Sequence, residues 1–453
     1  MNAATGSNEM PPDTEARTTW TPAALYSAAV LCSVVALGTA DSQLKSLLLE
    51  PLKHDLRLTD TQFGQLGLAA GLCAVLAAFP LGWLSDRADR QRVLAGCVVV
   101  WSAATVAAGM AQNFNQLLTA GIALALGEAA LLPMVYAMVP EHFNERQRAG
   151  VNAGLYAVIL LSGGISLSLG GAVYRALESH PVALPYLQDV APWRTLYFAF
   201  GLPGLAVALL MLTHRRGSSN IAPSSATPRP SSQPAHVGAG FGSFLRTHGL
   251  TIVMTDIALS IYATAWGLLS GWSPAILSRS FGLTVGDAGV VFGAVSMVAN
   301  VVGILAGWWG ARRWLPRWGT GAHLRLVMLG ALAAILPIFA LALANTATQY
   351  LAGVGIAMAV MGLATSQAPS IMQDMAPAAY RSRTISLFPL IALPVAGLGV
   401  AVGALSDRIG TADSLRIAVV SMAMVAIVVG FVLLAAVQKR YRALVVANKT
   451  LDA

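Results

Sequence analysis

The chain has 453 residues, of which 56% are hydrophobic and only 11% are charged, and its formal net charge is +8. Soluble domains carry about 25% charged residues, so this composition excludes a disordered chain and argues strongly against a water-soluble enzyme. In a membrane protein, a positive excess is typical of cytoplasmic loops, and we therefore expect no nucleic-acid partner.

Apolar stretches recur along the whole chain, and each is close to the roughly 20 residues that an α-helix needs to cross a bilayer. The fold class is therefore predicted to be all-α and integral to the membrane, with twelve transmembrane helices. We place them at about residues 22–49, 62–84, 93–112, 115–138, 150–174, 193–212, 249–272, 286–309, 323–343, 347–373, 384–406 and 414–437.

A Ser-, Pro- and Ala-rich stretch between the sixth and seventh spans is typical of a flexible linker. The halves on either side resemble each other, because GWLSDRADR from Gly82 follows the second span and GWWGARRWL from Gly307 follows the eighth. Two parallel six-helix repeats are a transporter architecture. The predicted units are a tail over 1–21, a six-helix bundle over 22–213, a linker over 214–245, a second bundle over 246–437 and a tail over 438–453.

The basic residues predict the orientation. With the N-terminus inside, 20 of the 28 Lys and Arg residues fall in cytoplasmic segments, as the positive-inside rule requires. We therefore predict a multi-pass protein of the cell's inner membrane, with both termini, both tails and the linker in the cytoplasm.

The first cytoplasmic loop carries the strongest local motif, GWLSDRADRQR from Gly82. It resembles the loop 2–3 signature of the major facilitator superfamily. Gly82 would let two helices approach closely, and Asp86 would lie at the positive N-terminus of a neighbouring helix. GALSDRIG from Gly403 resembles the motif more closely than the string from Gly307 does. The predicted topology places it on the outer side of the membrane, so we interpret it as a look-alike. The predicted inner gate comprises Gly82, Asp86, Arg87, Arg90, Arg146 and Arg148.

Within that superfamily the chain is similar to the Spinster-like branch. The similarity rests on strings that begin at Thr39 (TADSQLKSLLLEPLKHDLRLTDTQFGQLG), Leu126 (LGEAALLP), Ala191 (APWRTLYFAFGLPGLAVALL) and Gly397 (GLGVAVGALSDRIGTADSLR). It implies a proton-linked carrier of lipid-like or other amphiphilic molecules, with two cavity carboxylates that match Asp41 and Glu128. Ser42 and Gly121 stand where the family commonly has arginines, so the resemblance does not carry over a cationic grip on an anionic head group.

The residues themselves indicate the same two carboxylates. An ionised side chain near the bilayer centre costs about 2.5–3.5 kcal/mol, so such groups usually face a cavity or a partner. We predict that Asp41 and Glu128 take up and release protons as the cavity opens to either side of the membrane. The alternatives are a structural ion pair between Asp41 and Lys45, one helical turn apart, and a permanently protonated Glu128.

Several polar residues at membrane depth are candidates for lining a substrate cavity: Lys45, Gln43, Tyr136, Asn300 and Gln367. Lys45 could instead reach the outer interface or pair with Asp41, and the others could form helix–helix contacts. Asp256 is expected to act as a cap or gate rather than to bind substrate.

The chain has no P-loop, no catalytic triad and no cluster with metal-ligand spacing, so we expect no ATP hydrolysis, no cofactor, no metal and no enzymatic activity. The predicted function is alternating-access transport of a small amphiphilic or organic solute, coupled to protons, by a monomer in membrane lipid. A multidrug/proton antiporter and a gradient-free facilitator are the alternatives. The alternative outside transport is a membrane-embedded enzyme that modifies lipids.

Overall fold

The computed structural model describes residues 21–143, 145–180, 191–213, 240–377 and 380–452. Every regular element in those ranges is helical. The predicted N-terminal tail lies outside the described residues except for Thr21. Residues 214–239 of the predicted linker also lie outside them.

The first half of the chain forms eight helices: α1 (Pro22–Leu47), α2 (Leu49–Leu56), α3 (Asp60–Arg87), α4 (Arg90–Gly109), α5 (Phe114–Glu128), α6 (Leu131–His142), α7 (Glu145–Ser179) and α8 (Pro192–Thr213). The second half forms nine: α9 (Phe241–Phe281), α10 (Val285–Trp318), α11 (Ala322–Ala342), α12 (Ala347–Thr365), α13 (Ala368–Asp374), α14 (Arg381–Ile385), α15 (Phe388–Ala392), α16 (Leu398–Ile409) and α17 (Ser414–Asp452). A 3-10 helix, Leu393–Gly397, joins α15 to α16.

Twelve stretches of these helices are long and apolar enough to cross a membrane, and they coincide with the twelve predicted spans. Two helices run clearly beyond the predicted units: α9 begins at Phe241, inside the predicted linker, and α17 continues to Asp452 through most of the predicted C-terminal tail.

The eleventh span is divided into α14, α15, the 3-10 helix and α16, and two further spans that the sequence predicts as continuous helices are each interrupted by one short break. The fourth span breaks between α5 and α6, and the tenth breaks between α12 and α13. In each, a proline follows four residues after a residue at the break: Pro133 follows Ala129, the C-cap of α5, and Pro369 follows Thr365, the last residue of α12. Proline has no N–H to donate to the carbonyl four residues earlier, so each break lacks one helical hydrogen bond. The two spans occupy corresponding positions in the repeats, and paired interruptions of this kind indicate a substrate site.

The two ends of the helical bundle differ in how the halves meet. We call the end where α9 stops and α3 starts the Arg279 face, and the end where α3 stops and α4 starts the Arg90 face. Towards the Arg279 face, glycines bring the halves into contact: α7 packs on α10, and α3 packs on α16. A Cβ added to Gly171 would lie 2.5 Å from the carbonyl oxygen of Gly286, and one added to Gly64 would lie 2.5 Å from that of Gly399. No side chain larger than hydrogen fits at these positions without moving a helix.

Candidate transport site

Asp41 lies on α1, inside the first half of the molecule, and is 3% exposed. Its Oδ2 accepts a 2.7 Å hydrogen bond from the Thr105 hydroxyl on α4. Its Oδ1 is buried and has no hydrogen-bond partner among the described residues. A buried carboxylate with a half-filled hydrogen-bonding capacity is expensive in its ionised form, which is the property of a group that takes up a proton.

Glu128 is the last residue of α5, directly at the interruption of the fourth span. Gly127 sets its position, because a Cβ there would lie 2.6 Å from the Cβ of Trp101, so α5 touches the backbone of α4. The Oε1 of Glu128 is buried and, like Asp41 Oδ1, lacks a partner within the described structure. Asp41 and Glu128 are close enough to interact electrostatically, and Lys45 interacts with both.

Lys45 is half-buried on α1, one turn after Asp41. Among the described residues it forms neither a hydrogen bond nor an ion pair within 4.0 Å, so the geometry does not show the direct Asp41–Lys45 pair that we considered as an alternative. Lys45 lines a cavity of about 190 Å³ between α1, α3 and α5, closed on one side by Trp272 of α9. The structure thus brings Asp41, Glu128 and Lys45 into one site.

The other predicted cavity residues do not share one place. Gln43 is half-buried and packs beside Gly163 of α7, and Tyr136 is 39% exposed on α6 towards the Arg90 face. Asn300 is half-buried on α10. Gln367 is 4% exposed and lies at the interruption of the tenth span. Its Oε1 accepts from His323 Nδ1 at 2.9 Å and its Nε2 donates to the Gly307 carbonyl at 3.3 Å, which is the geometry of a helix–helix contact.

The Asp256 carboxyl, on α9, is 1% exposed, and its Oδ1 has no partner in the described part of the chain. Unlike Asp41 and Glu128, it has no electrostatic interaction with Lys45 or another charge in the described structure. This second-half carboxyl is therefore a natural comparison for Asp41.

The predicted inner-gate residues lie at the Arg90 face. Arg90 of α4 pairs with Glu141 of α6 at 2.5 Å, and Arg148 donates to the carbonyls of Phe143 and Pro140. Arg87 stacks over the ring of Trp83 at 4.0 Å. The side chains of Asp86 and Arg146 lie outside the described structure.

The close helix approach expected at Gly82 is absent in this conformation. No described heavy atom lies within 4 Å of a Cβ added there. The reason is the packing of the halves, since the tight glycine contacts named above lie towards the Arg279 face. The neighbouring Asp89 has a clear local role: its carboxylate caps α4 by accepting from the Gln91 backbone N–H at 3.0 Å.

Sequence reasoning missed a polar network at the Arg279 face. Arg279 of α9 donates to both oxygens of Asp60 at 2.8 and 3.0 Å, and to Glu50 at 2.5 and 3.1 Å. Asp60 also accepts from Lys53 at 2.7 Å and from Ser406 at 2.6 Å. We call these five residues the Arg279 network. It joins the halves, because Glu50, Lys53 and Asp60 belong to the first half, whereas Arg279 and Ser406 belong to the second.

Asp407 adds a further bridge between the halves. Its carboxylate accepts from the backbone N–H groups of Asp60 and Thr61 at 3.0 and 2.8 Å, and from the Thr61 hydroxyl at 2.6 Å. Asp407 therefore caps the N-terminus of α3 from the other half of the molecule. It belongs to GALSDRIG, the string interpreted as a look-alike, so the sequence did contain a signal at this position.

The described residues contain twelve candidate membrane spans in two halves, with buried carboxylates beside a cavity, and they define a multi-pass membrane protein. The model of the Major Facilitator Superfamily matches residues 30–392, and the chain belongs to that superfamily. The superfamily is one of transporters rather than of enzymes.

Curated relatives match part of the chain. An MFS-type efflux pump of Mycolicibacterium smegmatis is 29% identical over 61% of this chain and 59% of its own length. The human protein spinster homolog 1 is 24% identical over 61% of this chain and 52% of its own length. The chain thus aligns with little more than half of either relative.

A solved structure matches nearly the whole chain. It is a bacterial homologue of the human lysosomal transporter Spinster, in an inward-facing and occupied conformation. The TM-score is 0.71 at 22% sequence identity, with 94% of this chain and 97% of the other covered. The predicted superfamily, twelve-helix fold and similarity to Spinster proteins are confirmed.

Proposed function

We propose that this chain is a secondary active transporter that moves a small amphiphilic or organic solute by alternating access and couples that movement to protons. Asp41 and Glu128 are the proton carriers. The observation that supports this proposal is that both carboxyls have a buried oxygen without a partner in the described structure, and that both lie near one unpaired cation, Lys45.

The coupling follows from solvation. An ionised carboxylate is costly in an apolar interior but not in a water-filled cavity, so Asp41 and Glu128 would hold a proton while occluded and release it when the cavity opens. Because Lys45 interacts with both groups, their charge also determines how much of the Lys45 charge is left for a solute.

The Arg279 network and the predicted inner gate would close opposite ends of this pathway. In the present conformation the hydrogen bonds of the Arg279 network and Asp407 close the Arg279 face. We assign that face to the outside, in line with the positive-inside count, and therefore place both termini in the cytoplasm and the protein in the inner membrane. We propose that it acts as a monomer. The predicted gate around Arg90 would close the cytoplasmic side in the alternate state. In this scheme residues 22–213 and 246–437 are the two bundles that move, and the linker 214–245 joins them.

Transport in proteoliposomes with an imposed pH gradient tests the proposal. A pH-sensitive dye reports proton movement while solutes are added, from lysolipids and sphingoid amphiphiles to organic acids, sugars and cationic drugs. Asp41→Asn and Glu128→Gln should each abolish solute-dependent proton movement. Asp256→Asn is the matched control, because it neutralises a carboxyl that is equally buried but lies outside the site, and it should leave that movement intact.

Two results would contradict the coupling. If both site variants retain solute-dependent proton movement, the carboxyls do not carry the protons. If solute equilibrates across the membrane while no proton moves in the wild type, the protein is a gradient-free facilitator. Similarity to an efflux pump favours the drug antiporter as the second candidate. A cationic drug moving against protons while every anionic and neutral solute is inert would establish it.

A further inference from the structure

The residues that line the cavity beside Lys45 restrict the chemical class of ligand that it can bind. Its volume is about 190 Å³, and most of its lining is apolar, including Phe63, Leu66 and Trp272. The rings of Phe63 and Trp272 meet edge to face with centroids 5.2 Å apart, and they belong to different halves. The cavity therefore offers aromatic and aliphatic surface on both sides of the interface between the halves.

Lys45 is the one charged residue in that lining. Asp41 and Glu128 interact with it but do not line the cavity, and no described residue pairs with its ammonium group. A hydrogen bond between an ammonium and a carboxylate is among the stronger ones that proteins make, and an apolar surrounding strengthens it. The cavity thus has one unsatisfied positive group set in an apolar wall.

We propose that this cavity binds a small organic monoanion, a carboxylate with a compact apolar body, whose charged group contacts Lys45. This assignment rests on the proposed function, because it names the substrate class of the same transport site. Lys45 then supplies, one helical turn after Asp41, the positive charge that Ser42 and Gly121 do not supply.

Size and charge favour this class over the others in the solute panel. A cavity of about 150 Å³ binds benzene, so about 190 Å³ accommodates one ring with a small substituent and is smaller than a long acyl chain. A cation would face Lys45 directly and be repelled. A sugar would leave most of its hydroxyls against an apolar wall, because Ser42, Ser46 and Tyr197 are the few hydroxyl groups in the described lining. A dianion would find one cation for two charges.

Equilibrium binding of radiolabelled benzoate to the purified full-length protein in nanodiscs, without any gradient, tests the proposal. Benzamide, a neutral molecule of nearly the same shape, is the comparison ligand, and a lysophospholipid is the long-chain competitor. Benzoate should bind at least about tenfold more tightly than benzamide, because one charge-assisted hydrogen bond contributes that much. The lysophospholipid should not displace it.

Two substitutions separate the charge from the shape of the site. Lys45→Met should weaken benzoate binding by about 10- to 100-fold and leave benzamide binding unchanged. Lys439→Met, the same change at an exposed residue near the end of α17, is the matched control and should change neither. Gly121→Val should weaken both ligands, because Gly121 lines the cavity and an added Cβ there meets no described atom within 4 Å, so the extra carbons fill space without forcing a helix to move.

The outcomes distinguish this proposal from the proposed function. Equal binding of benzoate to the wild type and Lys45→Met, no benzoate binding by folded wild type, or displacement by the lysophospholipid would each overturn the ligand assignment. Benzoate binding that depends on Lys45, without any accompanying proton movement in proteoliposomes, would overturn the coupling and leave the assignment standing. Proton-linked transport of another solute, with no benzoate binding, would overturn the ligand assignment and leave the coupling standing.

Discussion

Replacing Arg279 with methionine should open the Arg279 face. Arg279 donates four hydrogen bonds to Asp60 and Glu50 across the boundary between the halves. The side chains of Arg279 and Asp60 are 15% and 2% exposed, so the ion pair is shielded from water. Arg279→Met keeps much of the apolar volume and removes the charge. The Asp60 carboxylate then retains only its hydrogen bonds from the side chains of Lys53 and Ser406.

The expected size of the effect follows from this geometry. Removing one partner of a buried ion pair costs about 3–5 kcal/mol, because the other charge is left without compensation. Lys53 and Ser406 still contact Asp60 and place the cost at the lower end, about 3 kcal/mol. At 1.4 kcal/mol per factor of ten, the equilibrium between closed and open Arg279 face should shift about 100-fold towards open.

The measurement is a distance distribution by double electron–electron resonance. Spin labels are placed at His54→Cys and Thr411→Cys, exposed positions on opposite halves of the Arg279 face, in a chain whose three native cysteines are replaced. Arg279→Met should move the main population to a longer distance.

Arg175→Met is the matched control for this experiment. Arg175 pairs with Asp287 across the same boundary, but the two side chains are 52% and 43% exposed, and such pairs contribute about 0–1 kcal/mol. It should leave the distances nearly unchanged. An unaltered distribution in Arg279→Met, or an equal shift in both variants, would refute the reasoning that buried charge pairing holds this face closed.

Three further predictions concern single contacts. Asp407→Ala should shift the same label pair towards the longer distance by removing the cross-half cap of α3, by about 1 kcal/mol, and an unchanged distribution would contradict this. Gly127→Ala should destabilise the protein by about 1–3 kcal/mol in a thermal unfolding assay, because its Cβ would overlap α4. Gly96→Ala, where a Cβ meets no described atom within 4 Å, should not, and equal losses would refute the packing argument. Gln367→Leu should lower stability by about 1–3 kcal/mol while transport persists below the melting temperature; lost transport with unchanged stability would make Gln367 a substrate contact.

The recurring apolar stretches were sufficient to predict the twelve membrane spans. Each span is a long apolar segment whose backbone satisfies its own hydrogen bonds, so its existence depends on local sequence alone. The two interruptions were harder, although Pro133 and Pro369 were visible. Proline lies inside several other spans that continue past it, such as Pro80 in α3 and Pro274 in α9, so its presence does not decide where a helix ends.

The candidate site was predictable in part. Asp41 and Glu128 were found because ionisable residues at membrane depth are rare and costly. Arg279, Asp60 and Glu50 were not, because each lies at the end of a span, where charged residues are common. Only the tertiary structure shows that these three are shielded and paired. The same holds for Asp407, whose partners are backbone N–H groups 346 and 347 residues away in the chain.

The cavity and the Arg279 network are connected by the helices that build them. Ser46 of α1, which lines the cavity, donates to the Gly271 carbonyl of α9 at 2.7 Å. Phe63 and Trp272 close the cavity from opposite halves, and they lie one turn from Asp60 and two turns from Arg279 on α3 and α9. A solute leaving towards the Arg279 face must therefore part the same helices that the network holds together. Neutralising Arg279 should consequently speed solute exchange at that face without altering the affinity of the Lys45 cavity for benzoate in the closed conformation.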